Sequence, residues 1–348
     1  MGSKHGCIIQ VDIGAGVFEG RSYRILSIDG GGIRGVFPAA FLASLEEDVD
    51  QPIGSYFDLI AGTSTGGIIA LGLGLGKTAA EIQELYEKHG PAIFGQDKGT
   101  AANIVLRNLK KFRRVIKSKH DSENLHDALK GILQNKKIGE SKTRLIIPAW
   151  HAETERVYIY KTAHHERLRT DYKCSAVDAA MATAAAPTYL KPHLTGDGVE
   201  LVDGGVWANN PIGVAVTEAV GLLGWPRDQI KVLSIGTINE VVARSRGTGI
   251  LSLASGLTRL FMAGQAHSAL GTAKILTGDG HHGKKAIWRV DQNAPQGRYT
   301  LDDTSVIREM VGRAKVEARE QLPELRRHFF YEPAPEFVPV YQLEEAIS

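Results

Sequence analysis

Short apolar runs along the chain alternate with longer stretches whose apolar residues recur every three or four positions. This alternation predicts interleaved strands and helices. Residues 24–28 read as a strand that feeds a glycine-rich turn over 29–35, and 36–45 follow with Phe37, Phe41 and Leu45 at helical spacing beside Leu42. A second strand is expected over 56–61 and a helix over 66–73. Thr78 with Glu81 three residues later is a capping box, which starts another helix at Ala79. Farther along, strands are expected at 144–148, 156–161, 200–202 and 231–235. Helix starts are expected at Ser175 (with Asp178) and at Asn210-Pro211, and long helices over about 251–276 and 303–327. Pro333, Pro335 and Pro339 predict an extended tail that wraps the surface. With no repeat, low-complexity tract or clear linker, the pattern describes one layered α/β domain. Its core is expected over 20–240, with an inserted helical region near 95–135 and a helical extension over 241–348 packed on that core.

Composition narrows the function classes. A chain of 348 residues that is 43% hydrophobic can bury a large core, and a net charge of +2 points to neither a polyanion coat nor an acidic tail, so no nucleic-acid polymer is expected as partner. Cys7 and Cys174 form neither a disulfide framework nor a metal-ligand spacing, which predicts a reducing cytoplasm. No run approaches the 18 apolar residues of a membrane span, residues 1–15 lack a signal-peptide apolar stretch, and Gly6 stands where a myristoylation pattern needs Ser or Thr. If such a protein works on lipid, it reaches the bilayer from the water side.

Three motifs carry chemistry. Gly62-Thr63-Ser64-Thr65-Gly66 lies between an expected strand and an expected helix, the context of a nucleophile elbow. Asp29-Gly30-Gly31-Gly32-Ile33-Arg34-Gly35 occupies a second strand-to-helix turn, where bared backbone N–H groups at a helix start can hold a developing oxyanion. Arg34 would add fixed positive charge or lock the loop. Asp203-Gly204-Gly205 follows a short strand, and two glycines there free an aspartate to face a site. Each motif has a plainer reading as an ordinary turn. The glycine loop also satisfies the dinucleotide fingerprint, with Asp50 twenty residues beyond Gly30, so a Rossmann oxidoreductase stands as the runner-up. Against it, Asp50 lies after a helix instead of ending a strand, and the fingerprint leaves Ser64 unexplained.

Taken in order, these motifs resemble the patatin-like phospholipase family, and Ala182-Thr-Ala-Ala-Ala-Pro-Thr-Tyr189 resembles a further family segment. The resemblance spans about residues 24–240 and implies a three-layer α/β/α sandwich around a mostly parallel sheet. It also implies a Ser-Asp dyad without histidine: Ser64 attacks the ester carbonyl of a glycerophospholipid, Asp203 is the general base, and Gly30, Gly31 and Gly32, with Arg34, form the oxyanion hole. No metal or redox cofactor is implied. From the residues alone, a Ser-Asp-His order using His267, His281 or His282 stays open.

The chain also resembles the bacterial phospholipase effectors of cyclic-oligonucleotide anti-phage signalling (CBASS). That implies a cyclic dinucleotide activator, membrane phospholipid as substrate by peripheral contact, and a place at the inner face of the cell membrane; a ligand-gated enzyme of this kind often uses an interface, so a homodimer is one expected form. A constitutive patatin-like lipase or toxin phospholipase without nucleotide control shares the same catalytic motifs and stands as the alternative. Candidate nucleotide contacts are Arg244, Arg246, Arg259, Lys274, Lys284 and Lys285.

Two weaker signals remain. Residues 103–119 carry seven Lys or Arg and no acid around an apolar stripe, which suits an anionic membrane surface or a nucleotide phosphate, or simply a solvated helix face. Gly72-Leu-Gly-Leu-Gly-Lys77-Thr78 misses the P-loop because Leu71 stands where glycine is required, and it follows a helix.

Overall fold

A computed structural model describes residues 20–94, 122–187, 189–241, 250–295, 298–299 and 304–343. The first half supplies β1 (Tyr23–Ile28), α1 (Val36–Glu46), β2 (Leu59–Gly62), α2 (Thr65–Gly74), α3 (Ala79–Phe94), a helix α4 over 122–133, β3 (Arg144–His151) and β4 (Arg156–Lys161). Then come α5 (Ala176–Ala184), β5 (His193–Leu194), β6 (Glu200–Asp203), α6 (Gly205–Ala208), α7 (Ile212–Gly221), β7 (Ile230–Val241), α8 (Ile250–Thr277), β8 (Ile287–Pro295) and α9 (Ile307–His328). The strands form one eight-stranded sheet in the order β5-β6-β3-β2-β1-β7-β8, with β4 on the other edge of β3. β3, β2, β1, β7 and β8 run parallel; β4 and β6 run against β3 and β5 against β6.

Both faces of the sheet are covered, which is why β1 is buried at every position. Leu26, Ile28, Ile60, Ile147, Leu233 and Ile235 point into one core with α1, α2, α3, α5 and α9. Ile25, Leu59, Ala61, Ile146 and Val232 point into the other, under α7 and α8. The result is a three-layer α/β/α sandwich. α2 lies wholly inside, and its apolar sequence has no polar face to show. The capping box appears in full: Glu81 N–H donates to Thr78 Oγ1 (3.1 Å) and Thr78 N–H to Glu81 Oε2 (2.8 Å).

Some expectations shift. The second strand begins at Leu59, because Ile53–Tyr56 close a 3-10 turn. β8 had no counterpart in the sequence reading, yet it pairs with β7 along its length. Residues 95–121, including the basic stretch 103–119, lie outside the described residues, as do Arg244 and Arg246.

The topology explains why two distant motifs meet. β4 holds one edge of β3 along Ile146–His151. The other edge takes β2 at Arg144–Ile146 and β6 at Ala149–His151. β2 and β6 run in opposite senses along that edge, so their carboxyl ends converge on a gap at 147–148. Pro148 stands in the gap, where a missing N–H costs no ladder bond.

Candidate active site

Ser64 follows β2 at the gap. Its backbone has φ +56° and ψ −126°, a conformation that L residues rarely adopt and that turns the side chain out of the strand line. The turn is tight enough that a Cβ on Gly62 would stand 2.1 Å from the Gly66 carbonyl oxygen, which is why glycine occupies that position. Asp203 arrives from the opposite direction at the end of β6. The Ser64 hydroxyl donates to Asp203 Oδ2 at 2.6 Å, and the Gly205 N–H donates to Asp203 Oδ1 at 2.6 Å. Gly204 lies so close to Pro148 that a Cβ would meet its carbonyl oxygen at 2.3 Å. Ser64 is 8% and Asp203 5% exposed, so the pair is recessed but reachable. Burial raises the Asp203 pKa to about 6, although the Ser64 hydroxyl and Gly205 N–H both favour the carboxylate. A carboxylate poised there can take a proton near neutral pH.

The glycine loop packs directly on the elbow. Gly30 N–H donates to the Asn209 carbonyl (2.9 Å) and Gly31 N–H to Thr65 Oγ1 (3.2 Å). Among the described residues the Gly32 N–H meets no acceptor, so of the three expected oxyanion donors it is the one left open. The Arg34 guanidinium donates to the Ile238 carbonyl (2.8 Å) and the Gly31 carbonyl (3.3 Å), bracing the loop against β7.

Sequence reasoning missed three supports. Thr183 on α5 accepts from Ser64 N–H (3.0 Å) and donates to the Pro148 carbonyl (2.6 Å), fixing the Ser64 backbone to β3. It is a lone hydroxyl in an alanine-rich run, and that was the available signal. Arg289 on β8 grips Asp29 through two bonds (2.9 and 2.5 Å) and also reaches Ser234 and Asp291. Burial alone would lower the Arg289 pKa; the Asp29 and Asp291 carboxylates overcome this and raise it. Gln265 on α8 accepts from Asn209 N–H at 2.9 Å, and Asn209 in turn touches the Gly30 carbonyl. Asn210, expected from the sequence at a helix start, does cap there: its Oδ1 accepts from Ile212 N–H (3.0 Å) at the start of α7.

The remaining candidates fall elsewhere. Among the described residues the Asp203 carboxylate bonds to Ser64 and Gly205, while His267, His281 and His282 are exposed, the last two before the amino end of β8, opposite the dyad. Asp50 is exposed in the loop after α1 and ends no strand, which removes the acid a Rossmann ribose site needs; with the Gly30 amide already bonded, the oxidoreductase reading is overturned. Lys284 donates to the Thr277 carbonyl (2.6 Å) and Lys285 pairs with Glu324 (2.6 Å). Lys274 is exposed in the last turn of α8, and nothing is described of the Arg259 side chain.

The family model described as patatin-like phospholipase matches residues 26–216. A Pseudomonas aeruginosa protein named cGAMP-activated phospholipase is 38% identical over 239 residues, 68% of this chain and 69% of the relative. A Vibrio cholerae protein of the same name is 31% identical over 345 residues, 90% of this chain and 96% of the relative. Patatin-like protein 2 of Arabidopsis thaliana is 34% identical over 258 residues, 64% of this chain and 61% of the relative. With an elbow serine, a glycine loop and an Asp-Gly-Gly turn gathered at the carboxyl ends of neighbouring strands, and a family model matching more than half its length, this chain belongs to the patatin-like phospholipases and is a lipid acyl hydrolase.

Proposed function

We propose that the protein hydrolyses ester-linked fatty acids of membrane glycerophospholipids through a Ser64–Asp203 dyad, and that a cyclic dinucleotide switches it on in bacterial anti-phage defence at the inner face of the cell membrane. The observation that carries the dyad is the 2.6 Å hydrogen bond from Ser64 Oγ to Asp203 in a recessed site where, among the described residues, no histidine bonds to either side chain. Asp203 takes the hydroxyl proton as Oγ bonds to the ester carbonyl carbon. The Gly32 N–H, in the glycine loop beside Ser64, is the backbone donor available to the oxygen that becomes negative. Collapse of that intermediate breaks the ester bond. The protonated Asp203 returns its proton to the departing lysophospholipid oxygen, leaving an acyl group on Ser64. Water then gives a proton to Asp203 and attacks the acyl carbon, which releases the fatty acid and restores Ser64.

The nucleotide switch is supported by the relatives' names, one of which belongs to a protein matching 90% of this chain. A ligand shifts such an equilibrium only by binding the active form better than the resting one. The test is fatty-acid release from phospholipid vesicles with and without a panel of cyclic dinucleotides, with Ser64→Ala as control. Release confined to one nucleotide and absent in Ser64→Ala is expected. Release that needs no nucleotide would remove the switch, and release by Ser64→Ala would remove the dyad.

A further inference from the structure

Several apolar side chains on the segments that flank the dyad are left in water. Val206, three residues past Asp203, is exposed. Tyr189 is also exposed, on the turn after Ala185, whose carbonyl receives the Asp203 N–H. The Gln265 side-chain amide on α8 reaches the Val206 carbonyl at 3.4 Å. About one turn earlier on the same helix stand Leu260 and Phe261, 65% and 70% exposed. Packing of α8 does not account for them: Ala269, Leu270, Ala273 and Leu276 make its contacts with the apolar core beneath the sheet. An exposed Leu-Phe pair beside a recessed site marks an interaction surface.

Charge identifies what that surface fits. From Val241 to Gly278 the sequence contains no Asp or Glu, and α8 itself carries Arg259 and Lys274. Bulky apolar groups on an acid-free helix match a surface that is apolar within and anionic at its rim, which is a bilayer of anionic phospholipids. Among the described residues no helix is long and apolar enough to cross a membrane, so the contact would be with one leaflet.

We propose that the Leu260–Phe261 turn of α8, with Val206 beside it, is the surface that docks the enzyme on an anionic phospholipid bilayer. Gln265 joins the docking helix to the Asn209 amide at 2.9 Å, and Asn209 touches Gly30, so insertion of the turn sets the mouth of the dyad against the headgroup layer. The proposal rests on the reading of the site as a lipid hydrolase and adds the face by which it meets its substrate.

The test uses the full chain carrying Ser64→Ala, so that vesicles survive the measurement. Cosedimentation is measured with phosphatidylethanolamine–phosphatidylglycerol vesicles and with pure phosphatidylcholine vesicles. Adding Leu260→Ser and Phe261→Ser lowers partition to the anionic vesicles by at least about tenfold. Adding Ile275→Ser, still more exposed but near the other end of α8, leaves partition unchanged, and phosphatidylcholine vesicles bind less in every case. All three positions are exposed, so the variants fold. Equal binding by the Leu260/Phe261 variant, or an equal loss with Ile275→Ser, would overturn the proposal. So would a dimer on size exclusion that the Leu260/Phe261 variant dissolves, because a second copy would then cover the patch. The readout is binding by a silenced chain, so its failure leaves the hydrolase reading standing.

Discussion

Replacing Asp203 by asparagine separates two consequences of burying a carboxyl beside Ser64. On folding, the Asp203 pKa rises from 3.8 to about 6, with burial as the main cause. Between those values the native state holds a proton that the unfolded chain has lost. The native state is therefore penalised by ionisation as pH rises through about 6, and the penalty is nearly absent at pH 4. Its full size above pH 6 is about 3 kcal/mol. Asparagine has nearly the same shape and no charge, so it escapes the penalty while losing the base. Asp203→Asn should lower ester hydrolysis by roughly a thousandfold or more. It should also raise unfolding free energy by about 1–3 kcal/mol at pH 8, falling below about 1 kcal/mol at pH 4. Urea titration followed by circular dichroism at the two pH values, beside a hydrolysis assay, measures both effects. The same ionisation predicts that wild-type activity falls as pH drops through about 6. An Asp203→Asn chain that is less stable than wild type at pH 8, or shifted equally at both pH values, would refute the reasoning.

Three other perturbations probe the supports. Thr183→Val keeps the volume but removes the hydroxyl between Ser64 and Pro148; kcat should fall by roughly ten- to a hundredfold with KM nearly unchanged, and urea titration should show a loss of about 1–3 kcal/mol. Gly62→Ala forces a Cβ to 2.1 Å from the Gly66 carbonyl oxygen, so the elbow cannot close and stability should fall by about 4 kcal/mol or more, read by near-ultraviolet circular dichroism and yield of folded protein. Arg289→Met leaves Asp29 buried without its partner and should cost about 3–5 kcal/mol at pH 8 and less at pH 4, where that carboxyl can take up a proton.

What could be read from the sequence divides along sequence separation. The elbow around Ser64, the glycine loop and the Asp203 turn are local: each needs glycine within a few residues of the reacting group, and that requirement is written in consecutive letters. The helices at Ala79 and Ala176 were legible for the same reason, since Thr78 and Ser175 cap within one turn. The convergence of β2 and β6 over Pro148 depends on which strands share an edge of β3, and no local pattern encodes that. Arg289 lies 260 residues from Asp29 and Thr183 lies 119 residues from Ser64. β8 escaped notice because Arg289, Asp291 and Gln292 interrupt its apolar positions, and the first two of those residues form the polar network that holds Asp29. In the glycine loop the local pattern shows three bared amides, while the partners of two of them, the Asn209 carbonyl for Gly30 and Thr65 Oγ1 for Gly31, come from elsewhere in the chain.

The central claim is that Ser64 is the nucleophile. It is tested most directly by treating the protein with a lipid-mimicking fluorophosphonate and locating the adduct by peptide mass spectrometry. Stoichiometric modification at Ser64, loss of hydrolysis in parallel with labelling, and no labelling of Ser64→Ala are expected. An adduct at another residue that tracks the loss of activity, or hydrolysis that persists with Ser64 fully modified, would contradict it.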